Sequence, residues 1–254
     1  MAKRWASFVS GGGTTMAAIL DAVIQGRLTG IVPALIVASK PEIGAIKKVL
    51  QRIRDHGSKL ELRNDDIVVA SPRLFAWPEN WAKLIADHCR SREIDVVTQN
   101  GWLPKTPATV IEAVNGNIFN QHPGPLDPGR KYDFGGGGDL GMYGRRVHCA
   151  RLLFARWTER NDWTEALSHY VVPDVDKGQI VHLRTVEILP DDTVESLQER
   201  VLPVEHEVQI ETLQMFADGK IKPYPIRLAP LVRSNQVTTL IRAKSIARDL
   251  YPQG

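Results

Sequence analysis

Five short apolar runs alternate with stretches of helical period over the first half of the chain, and few folds accommodate that alternation. The runs are residues 5–9, 31–38, 67–70, 94–98 and 117–121, long enough for strands and too short for helices. Between them, Met16, Ile19, Leu20, Val23 and Ile24 recur at the spacing of one helix face. Ile46, Val49, Leu50 and Ile53 mark a second helix, and Trp81, Leu84, Ile85 and His88 a third. A short helix is expected near Pro107, because proline suits a first helical turn. The repetition predicts an α/β fold, a mostly parallel twisted sheet flanked by helices and joined by right-handed crossovers. Pro33 is a blemish in the second run, since it removes a ladder donor.

After residue 121 the pattern changes. Residues 127–144 hold Pro128, Gly129, Gly135 to Gly138, Gly141 and Gly144, which predicts a long loop and, from its glycines, a lid. A helix over 147–157 is expected next, then strands over 167–172 and 179–188 joined by a turn at 174–178. Asp192-x-x-Glu195 reads as a capping box before a last long helix over 194–216, which Pro203 should kink or break. The tail beyond Ile221 carries Pro223, Pro225 and Pro230 and is expected to wrap irregularly or add a strand. One domain over 1–220 is expected, with halves of about 1–116 and 117–220, and 221–254 packing on it as a C-terminal extension.

Bulk properties bound the function. At 254 residues, 43% hydrophobic and 24% charged, the chain has the make-up of an ordinary globular protein. A net charge of +3 suits an anionic small substrate and does not argue for nucleic acid. Cys89 and Cys149 lack metal-ligand spacing and are expected as reduced, partly buried thiols. No leader-like h-region precedes the first run and no apolar run reaches membrane-spanning length, so a cytoplasmic protein with no membrane partner is expected.

The chemistry concentrates in Asn120-Gln121-His122-Pro123 and in Asp176, about fifty residues later within Val175-Asp176-Lys177-Gly178. Pro123 fixes φ and lacks a donor, so the chain leaves the sheet just after His122. Asn120 and His122 bracket one residue and share a strand face, at the carboxyl edge where open α/β sheets bind ligands. A lone histidine is more often structural, and Asp-x-Gly is common turn chemistry; the argument rests on the set of three. Ser10-Gly11-Gly12-Gly13-Thr14-Thr15 joins a strand to a helix and lets a phosphate reach the helix N-terminus, although a tight turn would read the same. It lacks the lysine of a Walker loop and the spacing of a dinucleotide fingerprint. His169 supports the site or merely packs, and Asp174 could replace Asp176 as the acid. The tryptophans read as packing, with Trp102 the exception because it follows Gln99-Asn100-Gly101 at a strand's end.

The Asn-x-His-Pro and Asp-x-Gly elements resemble those of folate-dependent formyltransferases, and the likeness runs from about Trp5 to Ile221. Glu205-His206 and Phe216-Ala217-Asp218-Gly219 lean toward the members that act on glycinamide ribonucleotide. The resemblance implies the family's Rossmann-like fold and 10-formyltetrahydrofolate as co-substrate, with no metal. It implies Asn120, His122 and Asp176 as catalytic residues. Gly11, Gly12, Gly13, Thr14 and Thr15 would take the substrate phosphate, and Glu205 its ribose. Gly101, Trp102, Leu103, Val172 and Asp174 would line the folate. The partner implied is a small phosphorylated substrate, not a nucleic acid; a homodimer is left open.

Two departures stand out. After Pro123 the family reads Ser-Leu-Leu-Pro, where this chain has Gly124-Pro125-Leu126-Asp127-Pro128 and extra glycine-rich sequence. The family's Ala-Gly-Phe-Met-Arg segment is replaced by Gln99-Asn100-Gly101-Trp102-Leu103. Transfer to another amine, such as an amino sugar nucleotide, uses the same residues, and so does hydrolysis of the formylated folate. A nucleotide-binding protein without activity is a third class, against which the intact trio argues. Formylation of an initiator tRNA fits poorly with a short, mildly basic tail.

Overall fold

A computed structural model describes residues 1–136, 141–158 and 162–254. The strands are β1 (Lys3–Val9), β2 (Ile31–Ala38), β3 (Ile67–Val69), β4 (Val96–Gln99), β5 (Ile118–His122), β6 (Trp163–Tyr170) and β7 (Ile180–Glu187). The helices are α1 (Thr14–Ile24), α2 (Gly44–Leu60), α3 (Pro78–Ser91), α4 (Ala108–Ala113), α5 (Arg145–Thr158), α6 (Val194–Ala217) and α7 (Val237–Leu250). The strands form one sheet in the order β3-β2-β1-β4-β5-β6-β7. β1 pairs in parallel with β2 and β4, β2 with β3, and β4 with β5, while β6 and β7 are antiparallel. This is the mostly parallel α/β fold expected. Pro33 is absorbed by a register shift: Trp5 faces Pro33 but Ala6 faces Leu35, so the missing donor falls at an irregularity in the ladder.

The chain divides into two compact units. The first holds Met1–Gln121, Tyr170–Pro173 and Gln209–Ile221; the second holds His122–His169, Asp174–Val208 and Lys222–Gly254. In the first, Ala6, Phe8, Leu35, Val37 and Val97 on the strands are buried with Trp81, Ile85 and Cys89 of α3. Strands covered on both faces read as continuous apolar runs, which is why the first half was legible. In the second, α5 and α7 share a core through Val147, Ala150 and Phe154 against Leu240, Ala243 and Ala247.

Three expectations fail locally. The tail is not irregular throughout: residues 222–233 wrap, with Arg227 donating to the Leu126 carbonyl at 3.0 Å, and then α7 forms. Three prolines obscured it, although Leu240, Ala243 and Ala247 already stood at helical spacing. Pro203 does not break α6, which runs on through it. The capping box is Thr193 with Ser196, each backbone N–H bonded to the other's hydroxyl at 3.0 and 3.1 Å. Asp192 lies one residue too early to cap; its carboxylate accepts from the Leu189 N–H, the Ser196 hydroxyl and Arg200 instead.

The lid expected over 127–144 falls partly on 137–140, outside the described residues. Its first part is no free loop. Asp127, Asp133 and Phe134 are buried, and Asp127 accepts from Arg130 and from the Leu231 N–H.

Candidate active site

β5 ends at His122, and its fixed exit through Pro123 brings the Gly124 carbonyl back within 2.8 Å of His122 Nδ1. A carbonyl only accepts, so Nδ1 carries the proton. A Cβ on residue 124 would lie 2.5 Å from Val147 Cγ1. The close approach of α5 therefore leaves room only for glycine here. The other ring nitrogen, Nε2, is buried and makes no hydrogen bond. Asp176 Oδ2 stands 3.9 Å from it.

Asp176 sits in the left-handed region, φ 58°, which aspartate tolerates better than most residues. Strain of this kind clusters at functional sites. Its carboxylate lies between two histidines, with His169 Nε2 3.6 Å from Oδ1 and His122 Nε2 3.9 Å from Oδ2. The Gly136 N–H donates to Oδ2 at 2.9 Å. All three side chains are almost fully buried, so charges here act at low effective dielectric. A histidine with one nitrogen fixed and the other unpartnered, beside a carboxylate, is built to hold or exchange a proton. Asn120 precedes His122 by two residues on β5 and is half-buried.

Sequence reasoning missed His148. It is buried on α5, its Nδ1 has no hydrogen-bond partner, and burial, reinforced by His122, pushes it down to about 4. It also missed Asp133, whose buried carboxylate takes the Gly135 N–H at 3.0 Å and Lys177 at 3.1 Å. The helix-period placement of His148 on a buried face was the available signal; Asp133 had none, lying in an irregular stretch.

In the first unit the glycine loop feeds α1. Gly13 has φ 65°, and a Cβ there would fall 2.5 Å from Ala45 Cβ, so glycine is obligatory. Gly11 and Gly12 face open space. The N-terminus of α1 has no side-chain cap and no acidic residue in its first turn, which leaves its dipole available to an anion. Thr14 is exposed and Thr15 buried. After β4, Gly101 turns the chain with φ 75°. Trp102 does not line an open surface: its ring is buried against Phe8, 5.2 Å away, and stacked on Trp81, 6.2 Å away. Leu103 and Val172 are exposed, and so is Asp174, in the second unit. Glu205 is buried on α6; its neighbour His206 is half-buried and pushed below the usual histidine range by burial. Among the described residues no group of three or more His, Cys, Asp or Glu is placed to hold a metal ion. Nor is any helix there long and apolar enough to cross a membrane.

The formyl transferase family model matches residues 164–213, which include β6 from Thr164 onward, Asp176 and β7. The chloroplastic phosphoribosylglycinamide formyltransferase of Vigna unguiculata is 31% identical over 220 residues, 86% of this chain. The chain spans 62% of that relative's length. The phosphoribosylglycinamide formyltransferase of Dictyostelium discoideum is 25% identical over 82% of this chain and 95% of its own. Among solved structures, glycinamide ribonucleotide transformylase 1 from Geobacillus kaustophilus superposes with a TM-score of 0.66 at 27% identity, covering 85% of this chain and 100% of that one.

Proposed function

We propose that the chain is a formyl transferase and that it moves a formyl group from 10-formyltetrahydrofolate to the amine of glycinamide ribonucleotide, a reading supported by the family match over 164–213 and by the likeness to phosphoribosylglycinamide formyltransferases. The observation that carries this reading is the buried His122 Nε2, unpartnered by any hydrogen bond and 3.9 Å from the Asp176 carboxylate. The co-substrate supplies an activated formyl carbon; everything else is work for the chain's own groups.

With Nδ1 committed to the Gly124 carbonyl, Nε2 is the atom that faces the reaction. Protonated, it donates to the oxygen that gains negative charge as the amine attacks; Asn120 is assigned the second donor. One such donor is typically worth ~2.7–4 kcal/mol to the transition state. Asp176 stabilises the charged imidazole and takes the proton that the amine loses, directly or through water; the proton is passed to the folate nitrogen, whose bond to the formyl carbon breaks as the tetrahedral intermediate collapses to the formamide and tetrahydrofolate. His169, on the other carboxylate oxygen, keeps Asp176 oriented. We assign the substrate phosphate to the backbone of Gly11, Gly12 and Gly13 with Thr14 and Thr15, since three glycines leave an uncapped helix N-terminus open. Glu205 is assigned the ribose diol. Leu103 and Val172 offer apolar surface for the pterin, Gly101 backbone and Asp174 a polar contact, while Trp102 contributes only support beneath Gly101.

The test is turnover of a panel of amines with 10-formyltetrahydrofolate. Glycinamide ribonucleotide is expected to be formylated in preference to amino sugar nucleotides and to water. No turnover of it, with another amine accepted, would overturn the substrate and leave formyl transfer standing.

A further inference from the structure

The C-terminal helix lies beyond the stretch that resembles the family, yet it reaches the catalytic carboxylate of the second unit. Leu240, Ala243 and Ala247 pack α7 against α5. That packing fixes the rotation of α7 and carries Lys244, next to Ala243, inward. The Lys244 ammonium donates to the Gly135 carbonyl at 2.6 Å. The same peptide unit, through the Gly136 N–H, donates to Asp176 Oδ2 at 2.9 Å. One amide therefore has a cation at its oxygen and an anion at its N–H, both aligned with its dipole. Polarisation by the first strengthens the second.

Two further observations show that the contact is built. A Cβ on Gly135 would lie 2.6 Å from Leu126 Cδ2 and 2.9 Å from Asp176 Cβ, so only glycine lets this peptide lie so close to the acid. Asp133 fixes the same residue from its other side by accepting the Gly135 N–H at 3.0 Å. The charges facing Lys244 are mixed. Burial pushes it below the usual lysine range, Lys177 and Arg248 push the same way, and Asp133 and Asp176 push back.

We infer that Lys244 is a positioning residue for the reaction: through the Gly135–Gly136 peptide it holds the Asp176 carboxylate charged and in place beside His122 and His169. The inference rests on the reading of Asp176 as the catalytic acid. It gives the glycine-rich insertion and the C-terminal helix, the chain's two additions to the family pattern, one shared purpose.

The experiment compares wild type with Lys244→Met, Lys244→Gln and Lys244→Arg. Carboxyl ¹³C resonances are titrated in the ligand-free protein, and Asp176→Asn identifies the signal. In Lys244→Met the Asp176 titration should move up by about one pH unit, as expected when a nearby opposite charge is lost. Lys244→Gln, which keeps a donor but no charge, should follow it, and Lys244→Arg should restore the wild-type curve. The acid limb of kcat should shift in step, with KM for the amine little changed. A folded Lys244→Met or Lys244→Gln protein with an unmoved Asp176 titration overturns the inference. Because that titration needs no substrate, a wild type unable to formylate glycinamide ribonucleotide would sink the proposed function without deciding this one.

Discussion

His122 and Asp176 make their case by what each nitrogen and oxygen touches. His122 spends Nδ1 on a backbone carbonyl and keeps Nε2; Asp176 accepts the Gly136 N–H on Oδ2 and stands 3.6 and 3.9 Å from the imidazoles of His169 and His122. Removing the imidazole or neutralising the acid therefore removes chemistry more than packing. We expect His122→Ala and Asp176→Asn to lower kcat by at least ~100-fold, the scale of one lost oxyanion donor or proton acceptor. Melting temperatures should stay near wild type for Asp176→Asn and fall only modestly for His122→Ala. A folded variant of either kind with near-normal kcat would remove that residue from the mechanism.

At the scale of elements, the first half of the chain was readable and the second only in part. Buried parallel strands announce themselves as apolar runs, and Ile31–Ala38 was bounded to the residue because Gly30 and Ser39 flank it with turn chemistry. β6 begins four residues before the run that the sequence pattern marks, because Thr164 and Glu165 interrupt the apolar signal after Trp163, although Glu165 is buried with Arg227 as its partner. α7 was lost because its buried stripe is mostly alanine, which carries little hydrophobic signal beside three upstream prolines. The placement of Asn120 and His122 at the end of β5 follows from Pro123, and that of Asp176 in a turn from Gly178. The Gly135–Gly136 amide was not legible, because a backbone group that supports an acid leaves no trace in residue type.

At the scale of the molecule, burial of His148 links its chemistry to stability. Its folded-state value, about 4, lies below the ordinary histidine value of about 6.5. Below that ordinary value the unfolded chain binds a proton that the folded one refuses. Stability is therefore lost as pH falls from about 6.5 to about 4 and no further below it, by up to about 3 kcal/mol from this group. A His148→Phe variant should show a flatter dependence across that window in chemical unfolding; an identical slope would mean that the site charges in the folded state.

The two cysteines fall one to each unit: Cys89 in the first and Cys149 in the second. Both are buried, and burial pushes the Cys89 thiol up to about 12 and the Cys149 thiol also upward. Neither offers a thiolate to a reagent while its surroundings stay closed. Each unit thus carries its own chemical clock. Timed alkylation followed by peptide mass measurement would read separate opening rates for the two halves of the chain, or a single shared rate if they open only together.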